Sequence, residues 1–226
     1  LAMAIKLDTL LGLFSVGKIP TGSKDPFALR RAVNGIIRIV IHYDLGFEIP
    51  AILELLADQY AEFDRKKLEE FILERIYKSL DANPSVIASV LATGERDIDE
   101  IAKKVEALNR ILKRPEAREL FTTFKRVANI SEAVDLSGEL PVDPALFEKE
   151  EERKLYEAFL GTERREYDDY ESRLEALFAL KPLLDAFFDA VLVNAEEEAL
   201  RRNRQNLVAS VYKAFLSIAD LKEISV

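Results

Sequence analysis

The chain has no cysteine and a single histidine, His42. Without cysteine there is no disulfide, thiol nucleophile or thiolate-held metal, and the composition fits a reducing compartment; a cytoplasmic location is the expectation. With one histidine, a Ser-His-Asp triad has a single possible base and a multi-histidine metal site is excluded within these residues. Long apolar runs are missing as well. An acidic or basic side chain interrupts every hydrophobic stretch before the roughly eighteen residues that would cross a bilayer, so no membrane partner is expected. The opening Leu1-Ala2-Met3-Ala4 lacks the charged start of a signal peptide and leads straight into helical pattern, so Leu1 is read as an excision point. No fixed-period repeat is found, which disfavours a TPR or HEAT array.

What the 226 residues do contain is the balance of a globular protein: 49% hydrophobic and 32% charged side chains, enough for one helical domain or two. The net charge of −9 is unevenly spread. Residues 1–43 hold six basic and two acidic side chains, 103–130 hold eight and three, and 201–213 hold four and none. Between them, 44–102 carry six basic and fourteen acidic, and 131–200 seven and twenty. Three basic islands in an acidic chain can form a phosphate-binding face, while the acidic remainder discourages indiscriminate RNA binding. Ordinary solvated helix faces produce the same pattern.

Apolar residues recur every three or four positions almost throughout, and strict alternation is scarce, so the fold class is all-α. Helices are expected from Asp25 or Pro26 to Tyr43, from Asp64 as N-cap through Leu80, from Pro84 to Ala92, from Asp97 to Lys113 and from Glu116 to Ile130. Gly46 and Pro50 are read as ending the first of these. Ser137–Pro144, with one glycine and two prolines, is the clearest break and a possible functional loop. Beyond it the spacing predicts Pro144–Leu160, Glu163–Leu180, Pro182–Asn194 and Glu196–Ala219, a four-helix bundle.

Lys6-Leu7-Asp8-Thr9-Leu10-Leu11-Gly12, with Pro20-Thr21-Gly22-Ser23-Lys24-Asp25-Pro26-Phe27-Ala28-Leu29-Arg30-Arg31, resembles a signature of the bacterial glycyl-tRNA synthetase β subunit. Phe124-Lys125-Arg126-Val127-Ala128-Asn129-Ile130 is similar to the same family, as is Asp185–Val193 followed by Arg201-Arg202-Asn203-Arg204. The resemblance implies a C-terminal fragment. Residues 1–82 would be the last helices of an HD-like domain, with connecting helices, and residues 83–226 an anticodon-binding helical domain similar to that of arginyl-tRNA synthetases. It further implies glycine tRNA and the α subunit as partners, in an α2β2-type assembly. Catalysis, with ATP and Mg, would belong to the α subunit, leaving no catalytic residue, metal or cofactor in this fragment. Asp8 could be a vestigial HD metal ligand, although a helix-surface or capping role fits it better, and His42 is read as structural on a buried-to-boundary position.

Candidate contacts follow from the islands together with the resemblance. On the first helix, Arg30, Asn34 and Arg38 share a stripe, and Arg31 accompanies them. Lys24 precedes them in Thr21-Gly22-Ser23-Lys24, which lacks the glycine–lysine spacing of a nucleotide-binding loop and is either a phosphate contact or a capped interhelical turn. Thr122, Lys125, Arg126 and Asn129 share the polar face of another helix, with Phe124 assigned to the core; Arg and Lys bind phosphates and Asn can read a base edge. Arg201 and Arg202 pair readily with Glu197 and Glu198, leaving Asn203 and Arg204 freer for RNA. Glycine anticodons end in two cytosines, whose amino groups an Asp or Glu can accept from. The alternatives are a helical protein-interaction scaffold without RNA contact and, on the HD resemblance, a phosphohydrolase that a lone histidine makes implausible.

Overall fold

The computed structural model describes residues 1–225. Helices α1 (Ala2–Ser15), α2 (Leu29–His42), α3 (Ile49–Ala57), α4 (Arg65–Ser79), α5 (Pro84–Leu91) and α6 (Ile98–Leu112) are followed by α7 (Ala117–Ser131), a 3-10 turn at Pro144–Leu146, α8 (Glu150–Glu163), α9 (Tyr170–Phe178), α10 (Lys181–Ala190) and α11 (Glu198–Leu216). Among the described residues extended pairing is limited to two isolated bridges, Thr21 with Lys24 and Glu48 with Asp97. The fold is all-α. The chain divides into two compact units: Leu1–Ile87 with Gly94–Lys103, and Ala88–Thr93 with the chain from Lys104 onward.

In the first unit α2 packs on both α1 and α4. Its buried stripe is Leu29, Val33, Ile36, Ile37 and Val40, the apolar set expected from the sequence; α1 buries Leu10, Leu11 and Phe14, and α4 buries Leu68, Ile72 and Ile76. The start of α2 differs from expectation. Ala28 takes a left-handed φ of 56°, and the Asp25 carboxylate accepts the N–H groups of Leu29 (2.9 Å) and Arg30 (3.0 Å), so the cap lies ahead of Pro26 and the helix begins after it. Helix α3 was not anticipated. Pro50 sits in its first turn, where a missing N–H costs nothing, and Glu48 accepts from Ala51 N–H at 2.6 Å. Residues 94–103 join this unit through Asp97, which accepts from Phe47 N–H at 2.7 Å, and through an Arg96–Glu69 ion pair of 2.8 Å.

The second unit is built on an aromatic core. Phe124 lies 5.0 Å from Phe178 and 4.8 Å from Phe215, which are 5.1 Å from each other, and Phe121 joins Phe178 at 5.4 Å. All four are buried, and their tilted and edge-on arrangements suit ring quadrupoles. Phe124 is thus in the core, as expected. The C-terminal helices are shorter than periodicity alone predicts. Helix α8 starts at Glu150 rather than Pro144, because the Glu152 carboxylate reaches back to the N–H groups of Glu148 (2.9 Å) and Lys149 (2.8 Å). The expected Glu163–Leu180 helix is interrupted: α8 ends at Glu163, Tyr167 bonds Thr162 O at 2.9 Å, and Asp169 caps α9 through Ser172 N–H at 2.7 Å.

The Ser137–Pro144 break lies along α11. Asn203 both accepts from Asp143 N–H (2.7 Å) and donates to Asp143 O (3.0 Å), Asn206 donates to Pro141 O (2.8 Å), and Lys213 donates to Gly138 O (2.7 Å). Spacings of three and seven residues put these side chains on one face of α11, so the non-helical backbone finds its partners there. The segment and the N-terminal half of α11, including Arg202, line a groove of about 860 Å³.

Candidate nucleic-acid interface

The first basic island belongs to the first unit. Lys24 is exposed at the end of a tight turn in which Thr21 and Lys24 exchange backbone bonds of 3.1 and 2.9 Å and Gly22 takes φ +52°. The turn is closed further by Arg30, whose guanidinium donates to Gly22 O at 2.6 Å. Arg30 therefore stabilises the turn as well as carrying charge. Arg31 and Arg38 are exposed, and seven residues apart they share a helix stripe. The Asn34 amide oxygen is buried without a hydrogen-bond partner. His42, expected at a buried-to-boundary position, is exposed at the last residue of α2, edge-on to Tyr43 with ring centroids 4.6 Å apart. Asp8 is exposed on α1 and accepts from the Tyr60 hydroxyl at 2.8 Å. Burial first, then the Asp8 carboxylate, raises the Tyr60 phenol above its usual range. No group of three or more potential ligands able to hold a metal occurs among the described residues.

Much of the second island is neutralised internally. Lys103 pairs with Asp99 at 2.6 Å, Arg110 with Glu106 and Glu171, both at 2.6 Å, and Arg114 with Glu175. Lys104 is buried, 5.3 Å from the centre of the Tyr170 ring. Within this island, the exposed cations left without an ion pair among the described residues are on α7 and just before it. Thr122, Arg126 and Asn129 are exposed on one α7 stripe and Lys125 lies half-buried beside them. Neither Lys125 nor Arg126 forms an ion pair within 4 Å among the described residues. The Thr122 hydroxyl turns back to Arg118 O at 2.8 Å. Arg126 is held over the Phe188 ring of α10, 4.2 Å from its centroid, which fixes the guanidinium without neutralising it.

Next to this face lies a ladder of side chains that sequence spacing did not reveal. Lys181 donates to Asp185 (2.6 Å) and Glu119 (2.7 Å), and Thr123 donates to the other Asp185 oxygen at 2.8 Å. Burial opposes the charge on Asp185, but the Lys181 ammonium and Thr123 hydroxyl, with Arg126 nearby, outweigh it and hold the carboxyl below its usual range. The only local signal was Asp185 four residues after Lys181; Thr123 and Glu119 are some sixty positions upstream.

The third island is mainly structural, and the reading of Arg204 is corrected. Arg204 is 6% exposed, donating to Glu152 (2.9 Å), Glu148 (2.7 Å) and Leu192 O (3.2 Å), while Asn203 holds Asp143. Neither is free for RNA. Arg201 does not form the expected pair with Glu197; it caps the carbonyls of Ala195 (2.9 Å) and Glu196 (3.1 Å). Arg202, exposed on the groove, is the arginine of this island still open to a ligand.

Residues 1–92 match the family model described as glycyl-tRNA synthetase beta subunit. Over 100% of its length the chain is 43% identical to the glycine–tRNA ligase beta subunit of Helicobacter pylori strain G27, of which it covers 33%. It is 40% identical to that of Methylobacillus flagellatus, with 99% of this chain and 34% of that protein covered, and 34% identical to that of Delftia acidovorans, with 99% and 33%. The chain spans about a third of the length of these relatives. Similarity runs end to end at this level, with the N-terminal 92 residues inside the family model, so the whole chain matches one stretch of the glycyl-tRNA synthetase β subunit.

Proposed function

We propose that this chain is the tRNA-binding portion of the β subunit of a two-subunit glycine–tRNA ligase, holding glycine tRNA for ATP-dependent aminoacylation by the α subunit. The observation that carries the reading is the α7 face, where Lys125 and Arg126 remain without acidic partners beside exposed Thr122 and Asn129 in an otherwise acidic protein. Phosphates would be met by the two cations and a base edge by Asn129, with Arg202 and, on the first unit, Lys24, Arg31 and Arg38 as additional contacts. On this reading ATP and magnesium serve the α subunit, the assembly is cytoplasmic, and this chain performs no chemistry alone.

The test is the Lys125→Ala/Arg126→Ala double variant in a tRNA-binding titration across salt concentrations. Both side chains are surface charges, so helicity and melting change little, whereas affinity for glycine tRNA falls and the slope of log affinity against log salt drops by about one to two units. Unchanged affinity and slope would overturn the assignment of this face. A protein scaffold without RNA contact would show no tRNA binding by the parent chain either.

A further inference from the structure

Gly35 stands in the interior of α2, where glycine is among the poorest helix formers. The space its missing side chain leaves is taken by Lys6 of α1: a Cβ at position 35 would lie 2.7 Å from the Lys6 Cε, 3.0 Å from its Cδ and 3.2 Å from its Nζ. The lysine stem thus crosses α2 on bare backbone, with the ammonium over that turn. Arg31, Gly35 and Arg38 follow at spacings of four and three, so they share one stripe of the helix, and both arginines are exposed. Lys6 fills the gap between them. From Arg31 to Arg38 the row is about 10 Å long at 1.5 Å per residue, with the α1 cation near its middle.

No carboxylate balances this row. Helix α2 contains no acidic residue, and the one acid of α1, Asp8, accepts from Tyr60. Among the described residues none of the three cations has an ion-pair partner within 4 Å. Like charges gathered on two packed helices repel, and a polyanion laid along them relieves the repulsion. A duplex carries about one phosphate per 3.4 Å of axis on each strand, so a row of about 10 Å faces about three phosphates. Protein interfaces instead set their charges around an apolar centre, and the stripe of Arg31, Gly35, Arg38 and His42 has none.

Resting on the tRNA reading above, we infer that Lys6, Arg31 and Arg38 form a phosphate-backbone site on the first unit, in which Gly35 lets a lysine of α1 complete the row begun by α2. The site holds RNA without reading it, because phosphates carry no sequence. Gly35 is the positioning residue, acting through Lys6.

The experiment titrates the complete β subunit with glycine tRNA and with an unrelated tRNA across salt concentrations. The Lys6→Gln/Arg31→Gln/Arg38→Gln variant is expected to lower the slope of log affinity against log salt by about two to three units, at about 0.7–0.9 per contact, and to weaken both tRNAs by the same factor. Gly35→Ala keeps every charge. Its methyl group displaces the end of the Lys6 side chain, so the slope should fall by about one unit while the melting temperature stays at or above the parent's, since alanine favours the helix. Adding Lys6→Gln to Gly35→Ala should lower the slope no further. A parent-like slope in the triple variant or in Gly35→Ala, or a triple variant that weakens glycine tRNA alone, overturns this site and leaves the broader tRNA reading standing. If the triple variant does not fold, Gly35→Ala decides alone. A parent protein that binds no tRNA overturns both.

Discussion

Replacing Arg204 with Met is expected to destabilise the second unit by about 3 kcal/mol, the lower end of the range for breaking a buried ion pair. Met conserves most of the stem volume, so the loss is electrostatic rather than a cavity. The three bonds are unequal. Glu148 has a side chain 57% exposed, and its share is the 0–1 kcal/mol of a surface pair; Leu192 O adds about 1 kcal/mol. The remainder falls on Glu152, which is 0% exposed and loses its cation. The cost stays at the low end because Glu152 still accepts the N–H groups of Glu148 and Lys149. Urea unfolding measures the difference, and a thermal scan should show a fall of about 6–12 °C for a chain of this size. The decisive comparison adds Glu152→Gln, which removes the stranded charge and keeps an oxygen for the helix cap. The double variant should be more stable than Arg204→Met alone, with coupling of about 1–2 kcal/mol. A single variant losing under about 1 kcal/mol, or a double variant whose losses merely add, would refute the account of this pair.

Phe124→Ala should cost about 3–5 kcal/mol in the same unfolding assay, because the side chain is 1% exposed among three other rings. Asn129→Ala should lower discrimination between glycine tRNA and other tRNAs more than it lowers the salt slope of binding, since an amide reads an edge and carries no charge. Asp169 gives the pH dependence. Hydrogen bonds from Ser172, the backbone N–H first and then the hydroxyl, hold its carboxyl below the usual range, so its contribution is present above the unfolded-state value and is lost as pH falls through the folded one. Asp169→Ala should therefore be less stable than the parent at pH 7, with the gap closing on titration below about pH 4; a gap that widens in acid contradicts the cap.

Where an element is decided by its own neighbours, the sequence was a sufficient guide. Asp64 as cap and the Leu68, Ile72, Ile76 stripe locate α4, and the five buried residues of α2 follow from spacing alone. The misreadings come from side chains whose role depends on a distant or ambiguous partner. Pro50 stops a helix or starts one, and Glu48 accepting from Ala51 decides for the start. Arg204 looks like a free cation at the head of a basic run until Glu152, from another helix, is folded beneath it. The α7 face was visible as periodic polarity. That Arg126 rests on Phe188 and borders Asp185 required tertiary structure, since nothing local links α7 to α10.

The division of the chain carries a consequence for the order in which it is synthesised. Residues 88–93 belong to the second unit while 94–103 return to the first, so the two units interleave along the sequence. A ribosome must release Lys103 before the first unit has all its parts. The stub at 88–93 waits longer still, because the Ser89 carbonyl, at the C-terminal end of α5, is met by Asp220 N–H at 2.8 Å. During elongation that helix end is solvated, and the second unit acquires this partner only after α11 has been made. Vectorial synthesis thus lets the N-terminal unit mature first and leaves its neighbour dependent on late-emerging residues.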